Sequence, residues 1–508
     1  MDSAVWTALT LVFDPYVLTV MAVAGAFGLF VGAMPGLTAT LATALLVPVT
    51  FFMEPVPALA AIVATTAMAI FAGDIPGALV RIPGTPASAA YVDDSYGLTR
   101  KGKAEVALGT SITSAVIGGL FGAVVLAFTA PVLAEVALGF SSFEYFWLAT
   151  FGLTCAAFIS TGSPVKGMVS LLFGLFIATI GIDIMAGQPR FVFGSTELMG
   201  GVSFIPAMIG MFAVSEVLRW AIGPRNADLH VRQKVGNVFR GQAAILRRYK
   251  LGLARGSVIG TAIGILPGAG ADIAAWITYA VSKRFSREPE KFGTGHVEGL
   301  VDAGSANNAS LGGAWVPALV FGIPGDSITA IVIGVLYMKG MNPGPMVMIN
   351  EPQLLYAVFI SFFVANLLLL PLGYLAVRFY GRMLDVPREI LMPLILLLCM
   401  VGAFAINNTL FGVGIMLVLG VIAFVMEESG FPVAPAILGI VLGSMIEQNF
   451  MQSMIKADGD LLAFFERPIS AVLGVLTLLT WAFVLFENLR RRKPREPVAP
   501  RASTTPEE

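Results

Sequence analysis

Four Pro-Gly pairs interrupt apolar stretches of this sequence: Pro35-Gly36, Pro83-Gly84, Pro267-Gly268 and Pro324-Gly325. Polar side chains gather around them. Thr38 follows the first pair, and Arg81, Thr85 and Ser88 surround the second. Asp272 follows the third. Asn307 and Asn308 precede the fourth, and Asp326 and Ser327 come directly after it. Proline frees a backbone carbonyl and bends a helix, and glycine adds a turn at no steric cost. A helix that starts just after such a pair presents unpaired N–H groups and about half a positive charge at its tip. Tips that meet near the middle of a bilayer make a site for an anion, and freed carbonyls there can hold Na⁺. The expected cargo is therefore a small carboxylate.

The backbone near Gly36, Gly84, Gly268 and Gly325 is expected to face that anion. Pro35, Pro83 and Pro324 set the breaks, and Thr38, Arg81, Thr85, Ser88 and Ser327 are the polar helpers. Asp272, Asn307, Asn308 and Asp326 are the candidate cation ligands. Each residue also has a plainer reading. Thr85, Ser88 and Ser327 fit helix N-caps, and the two asparagines fit hydrogen-bonded glue between helices. The aspartates fit the water interface. An Arg at the centre of a spanning helix costs about 2.5–3.5 kcal/mol on insertion scales, so Arg81 either snorkels, pairs with Asp74, or grips a substrate carboxylate.

The breaks recur in order, inside longer shared phrases. Gly32-Ala-Met-Pro35-Gly36 is echoed by Gly264-Ile-Leu-Pro267-Gly268, an offset of 232. Pro76-Gly-Ala-Leu-Val-Arg-Ile-Pro83-Gly84 is echoed by Pro317-Ala-Leu-Val-Phe-Gly-Ile-Pro324-Gly325, an offset of 241. The nine-residue difference fits a longer loop between Lys283 and Leu300 in the second half. Loop charge then orients the halves, because cytoplasmic loops carry the Lys/Arg excess. Residues 53–57 have none, and their counterpart carries Lys283, Arg284, Arg287 and Lys291. Arg100, Lys101 and Lys103 face a nearly neutral stretch, 340–352. Residues 132–142 have none, against Arg378, Arg382 and Arg388. Successive reversals of this kind are what an inverted repeat predicts.

Composition agrees. The 508 residues are 57% hydrophobic and 12% charged, with a mean hydropathy of +0.84. A soluble domain carries about 25% charge. Continuous rather than alternating apolar runs exclude a membrane β-barrel. The fold expected is an all-α polytopic membrane protein. It is an inverted-topology repeat with broken helices or re-entrant hairpins and roughly 12 membrane segments. The first repeat covers 16–223, a basic cytoplasmic linker 224–250, and the second repeat 251–446. An extra helix, 466–488, returns the C-terminus to the cytoplasm, and 489–508 reads as a disordered tail. No basic cluster is interleaved with aromatics, so no nucleic-acid partner is expected. Cys155 and Cys399 lie in apolar runs and His230 and His296 in polar loops, a poor set for a metal. Residues 1–15 lack the features of a removable signal peptide. Gly28 and Gly32, with Gly118, Gly119 and Gly122, suit close helix contacts.

The same stretches resemble the large membrane subunit of the tripartite tricarboxylate transporters, the TctA-type permeases. The matching phrases are Gly32-Ala-Met-Pro-Gly-Leu37, Arg81-Ile-Pro-Gly-Thr-Pro-Ala-Ser-Ala-Ala90 leading to Asp94, and Gly264-Ile-Leu-Pro-Gly-Ala-Gly-Ala-Asp272. Phe292-Gly-Thr-Gly295, Glu298-Gly299, Ala306-Asn-Asn-Ala309, Gly322-Ile-Pro-Gly325 and Asn342-Pro-Gly-Pro345 follow in family order. The resemblance implies a permease of the bacterial inner membrane that imports an organic acid by symport with Na⁺ or H⁺. It also implies a small four-helix membrane subunit and a periplasmic solute-binding protein as partners. Asp302-Ala-Gly304-Ser305 departs from the family's acidic pattern, with Asp302 the residue able to stand in for the missing acid. Arg81 stands where a neutral residue is usual. The rival reading is an anion channel or exporter without cation coupling. An intramembrane enzyme would need a nucleophile–base pair or metal ligands in the membrane, and the sequence offers neither.

Overall fold

The computed structural model describes residues 2–159, 163–183, 187–222, 235–268, 270–384, 386 and 388–491. Residues 224–234 of the basic linker, His230 among them, and 492–508 of the C-terminal tail lie outside them. The first half contains α1 (Asp2–Val12), α2 (Pro15–Ala33), α3 (Ala39–Phe51), α4 (Pro55–Ala72), α5 (Asp74–Val80), α6 (Pro86–Ala89) and α7 (Val92–Arg100). It continues with α8 (Ala104–Ala137), α9 (Ser142–Ile159), α10 (Pro164–Ala178), α11 (Phe204–Ile209) and α12 (Ser215–Ile222). A π-helical turn, Gly210–Val214, joins the last two. The second half contains α13 (Gln242–Arg248), α14 (Lys250–Gly264), α15 (Gly270–Phe285), α16 (Val297–Phe321), α17 (Ser327–Met338) and α18 (Val347–Asn350). After it come α19 (Pro352–Leu384), α20 (Arg388–Asn407), α21 (Leu410–Glu428), α22 (Val433–Lys456) and α23 (Pro468–Arg491). Two strands of two residues each, Gly181–Ile182 and Pro189–Arg190, pair antiparallel.

Eight helical stretches among the described residues are long and apolar enough to cross a membrane. The protein is thus a multi-pass helical membrane protein. Shorter apolar helices, Ala39–Phe51 and Ser327–Met338 among them, flank the breaks. They are the half-helices that the interrupted runs foreshadow.

Two helices form the centre. In α4 every residue from Val56 to Ala72 is buried, and in α16 every residue from Gly299 to Val320. A helix apolar all round must be wrapped by others. Here α2 and α19 wrap α4, while α14 and α8 wrap α16. Glycine permits the close approach. A Cβ on Gly28 would lie 2.5 Å from the Thr65 carbonyl oxygen, and one on Gly32 2.6 Å from that of Ala69. These contacts advance in step, so α2 and α4 run parallel. The chain can join two parallel neighbours only if α3 returns between them, which makes α2–α3 a hairpin.

The arrangement recurs. A Cβ on Gly260 would lie 2.4 Å from the Ala306 oxygen, and one on Gly264 2.2 Å from the Ser310 oxygen. Gly28 to Gly260 and Gly32 to Gly264 are shifts of 232, and Thr65 to Ala306 and Ala69 to Ser310 are shifts of 241. So α14, α15 and α16 repeat the hairpin and its central helix with the offsets read from the proline phrases. Around this core, α9, α10 and α22 pack together on one side, and α11, α20 and α21 on the other.

Candidate functional site

Each break is built in the same way as its counterpart. Gly36 (φ 88) and Gly268 (φ 81) turn the two hairpins, in a left-handed region that glycine enters without steric cost. The central helices end alike. Arg81 (φ 59) and Gly322 (φ 67) are left-handed caps, and the next N–H, of Ile82 or Ile323, reaches back to the carbonyl of Pro76 or Pro317. The helices that follow start alike too. Thr85 accepts from the Ser88 N–H at 3.2 Å, and Ser88 Oγ accepts from the Thr85 N–H at 3.2 Å. Asp326 Oδ1 accepts from the Thr329 N–H at 2.8 Å, and Thr329 Oγ1 accepts from the Asp326 N–H at 2.8 Å. Both are capping boxes. Thr38 caps α3 through the Leu41 N–H at 3.1 Å.

The four breaks meet. Within the first half, a Cβ on Gly84 would lie 2.6 Å from Gly73 Cα and 2.9 Å from the Gly32 oxygen. Within the second, the Gly268 N–H donates to the Gly325 oxygen at 2.7 Å. Between the halves, Thr40 Oγ1 and Ser327 Oγ are 3.3 Å apart. On the opposite diagonal Trp276 Nε1 donates to the Pro86 oxygen at 3.1 Å, and the Asp272 carboxylate faces the Ala87 backbone N–H. Gly36, Pro86 and Asp272 are exposed, and Thr38, Thr40, Asp326 and Ser327 half-buried. Pro35, Gly84, Thr85, Ser88, Pro324 and Gly325 form the buried wall behind them, with Pro83 and Gly268 half-buried. Asp272 and Asp326 lie close enough to repel each other. A pair of carboxylates in one place holds a cation or rejects an anion.

The other candidates go elsewhere. Asn307 and Asn308 are buried in α16. Asn308 Nδ2 donates to the Ala67 oxygen at 3.1 Å, on the facing central helix. Asn307 Nδ2 donates to the Tyr91 hydroxyl at 3.3 Å, which donates to Asp74 Oδ1 at 2.6 Å. Both asparagine Oδ1 atoms are buried without a partner. The asparagines thus bond to α4 and to Tyr91, while Asp272 faces Ala87 and Asp326 caps α17. Arg81 does not pair with Asp74. Its Nε and Nη2 donate to Asp93 Oδ1 at 3.1 and 2.8 Å, because a left-handed cap turns the side chain out of the break. It lines a surface cavity of about 410 Å³ with Arg100, Lys101 and Thr294. Asp302, the stand-in acid, already has Arg255, whose Nε donates at 2.9 Å.

Spacing alone gives no role to Asp94. It is fully buried, and its Oδ1 accepts the N–H groups of Gly293, Gly295 and His296 at 2.8, 2.8 and 2.9 Å. Its Oδ2 accepts the Tyr279 hydroxyl at 2.7 Å. The carboxylate thus ties α7 to the loop before α16. The signal that points to it is the Gly-Thr-Gly run at 293–295, whose glycines let successive N–H groups face one anion.

Residues 18–438 match the family described as Tripartite tricarboxylate transporter TctA family. The chain belongs to that family. TctA proteins are transporter subunits, and the family's name implies partner subunits. A protein of Agrobacterium vitis described as an uncharacterized 52.8 kDa protein in the TAR-I ttuC' 3' region is 33% identical over 468 residues, covering 92% of this chain and 93% of that one. An uncharacterized protein in the TAR-II ttuC' 3' region of the same organism is 34% identical over 234 residues, covering 46% of this chain and 97% of its own length. No solved structure matches.

Proposed function

We propose that this TctA protein is the secondary-active permease subunit for uptake of a small organic carboxylate, of the di- or tricarboxylate type, across the bacterial inner membrane. A Na⁺ or H⁺ gradient drives it. A periplasmic solute-binding protein delivers the substrate, and a small four-helix membrane subunit completes the assembly.

The meeting of the four breaks supports this reading best. The starts of α3, α15 and α17 converge, and their free N–H groups suit a carboxylate. Thr38 and Ser327 supply hydroxyls there, backed by the capping box of Thr85 and Ser88. Asp272 and Asp326 are the first candidate cation position. While both are ionised and bare they repel an anion, and a cation between them turns the same place attractive. The orphan Oδ1 atoms of Asn307 and Asn308 are the second candidate cation position. Arg81, beside Arg100 and Lys101, serves at the rim, where positive charge draws anions.

The halves are inverted in this reading. The hairpin α2–α3 enters from the periplasmic face and α14–α15 from the cytoplasmic face. Loops that this topology puts on one face touch one another. Lys339 Nζ donates to the Phe51 oxygen at 2.9 Å on the outer side, and Lys166 Nζ to the Ser429 oxygen at 2.7 Å on the inner side. Uptake by Pro83→Ala, Pro324→Ala and Asp272→Ala variants tests the assignment. Strong loss in each is expected, and full activity in all three removes it.

A further inference from the structure

Four carboxylates are buried among the described residues: Asp74, Asp94, Glu144 and Asp302. Three have a guanidinium or a cradle of backbone N–H groups. Asp94 has three backbone N–H groups and the Tyr279 hydroxyl. Glu144 has Ser141 and Arg467. Asp302 has Arg255. Asp74, 3% exposed, has neither a guanidinium nor a backbone cradle. The Tyr91 hydroxyl donates to its Oδ1 at 2.6 Å. The Ser111 hydroxyl of α8 faces the same carboxyl and has no partner within ordinary hydrogen-bond geometry.

Among the described residues, no positive side chain on the helices packed against it answers a charge on Asp74. The helices packed on α5 are α2, α4, α6, α7 and α8. Of these, α4 and α6 carry no ionisable side chain, and α2 carries only Tyr16 at its start. On α7, Asp93 is held by Arg81 and Asp94 by the 293–296 loop. Tyr96 and Arg100 line the surface cavity beside Lys101. Glu105 and Glu135 sit near the two ends of α8. An ionised carboxylate buried with no countercharge is strongly disfavoured, so this group calls for a counter-ion or a proton. The Tyr91 hydroxyl spends its proton on Asp74 and accepts the Asn307 amide. A proton on the carboxyl keeps the Tyr91 bond at Oδ1 and lets the new O–H donate to the Ser111 hydroxyl oxygen, which has no other partner.

Asp74 is also placed to act. It follows Gly73, whose carbonyl accepts the Gly84 N–H at 3.0 Å, so it abuts the second break. Through Tyr91 and Asn307 it reaches the central helix of the other half.

We propose that Asp74 is where a proton boards this transporter, which makes the coupling ion H⁺. The carboxylate gains an O–H bond by taking a proton from water on the outer side. The neutral acid persists while the site is closed. The O–H bond breaks on the inner side, the proton returns to water, and no electron changes hands. This deepens the permease reading and rests on it, yet the protonation itself is measurable without substrate.

The first measurement is infrared pH-difference spectroscopy on the full chain in liposomes. The wild-type protein should show the carbonyl stretch of a buried protonated carboxylic acid, Asp74→Asn should lose it, and Tyr91→Phe should move it. Identical bands in wild type and Asp74→Asn overturn the proposal, as does a band that Tyr91→Phe leaves in place, which keeps the test decisive if Asp74→Asn does not fold. The second is citrate uptake into proteoliposomes holding the complete transporter. Asp74→Asn should lose accumulation driven by a pH gradient while retaining citrate–citrate exchange. Wild-type accumulation that follows a Na⁺ gradient and ignores the pH gradient overturns the proton assignment and leaves the permease standing. Absence of carboxylate uptake in wild type sinks the permease reading alone, and the infrared band then still decides Asp74.

Discussion

Asp94 shows how much one carboxylate can hold. Truncation to alanine strands the N–H groups of Gly293, Gly295 and His296, and each buried orphan donor costs about 1–3 kcal/mol. Asp94→Ala should therefore lower the thermal unfolding midpoint of the detergent-solubilised protein sharply. Asp94→Asn should recover much of the loss, since an amide oxygen still accepts. Equal midpoints for Asp94→Ala and wild type would show that the clamp bears no load. Arg81 is the opposite case. Its left-handed φ of 59 costs a non-glycine residue about 1–2 kcal/mol, and its exposed ion pair with Asp93 returns about 0–1 kcal/mol. Arg81→Gly is thus expected to leave stability unchanged or slightly raised, by the same unfolding measurement. A marked loss would mean that the Asp93 pair matters more than its exposure allows.

Among the elements, the glycine seams α2/α4 and α14/α16 carry the packing. Overpacking a close contact costs about 1–3 kcal/mol. Gly28→Ala and Gly260→Ala should destabilise by similar amounts, because their added Cβ atoms would meet the Thr65 and Ala306 oxygens at 2.5 and 2.4 Å. Gly200→Ala, with open space around it, should not. Unfolding midpoints that single out one glycine of the pair would break the equivalence. These seams were legible in the sequence as Gly28-xxx-Gly32 and as the two offsets, because a repeated backbone geometry demands repeated glycines and prolines. One cap was legible, since Thr85-Pro-Ala-Ser88 spells it out, whereas α17 is capped by Asp326 and not by the Ser327 that the sequence suggested. Side-chain partners across sequence-distant elements were not. Nothing near Asp74 marks Tyr91 as its donor, and nothing near Arg81 favours Asp93 over Asp74. A helix's local pattern says which face is buried but not which neighbour covers it.

For the whole molecule, the decisive matter is whether the second half is the first turned over. A parallel duplication and an inverted one share every local feature: the same breaks, caps and glycine seams. They differ in the relative direction of α4 and α16, and so in which side of the bilayer each loop meets. The loop at Met53 and its counterpart near Arg284 separate the alternatives, because each closes a hairpin of the same kind. Inversion places Met53 in the periplasm and Arg284 in the cytoplasm, together with Lys101. Single cysteines at these positions, in a background with Cys155 and Cys399 replaced, should therefore divide. A membrane-impermeant maleimide added to intact spheroplasts should label position 53 and spare 284 and 101 until the membrane is opened. Labelling of 53 and 284 from the same side would make the repeat parallel. The two hairpins would then enter from one face, their positive tips would no longer oppose each other across the bilayer's middle, and alternating access around a shared site would lose its geometric basis.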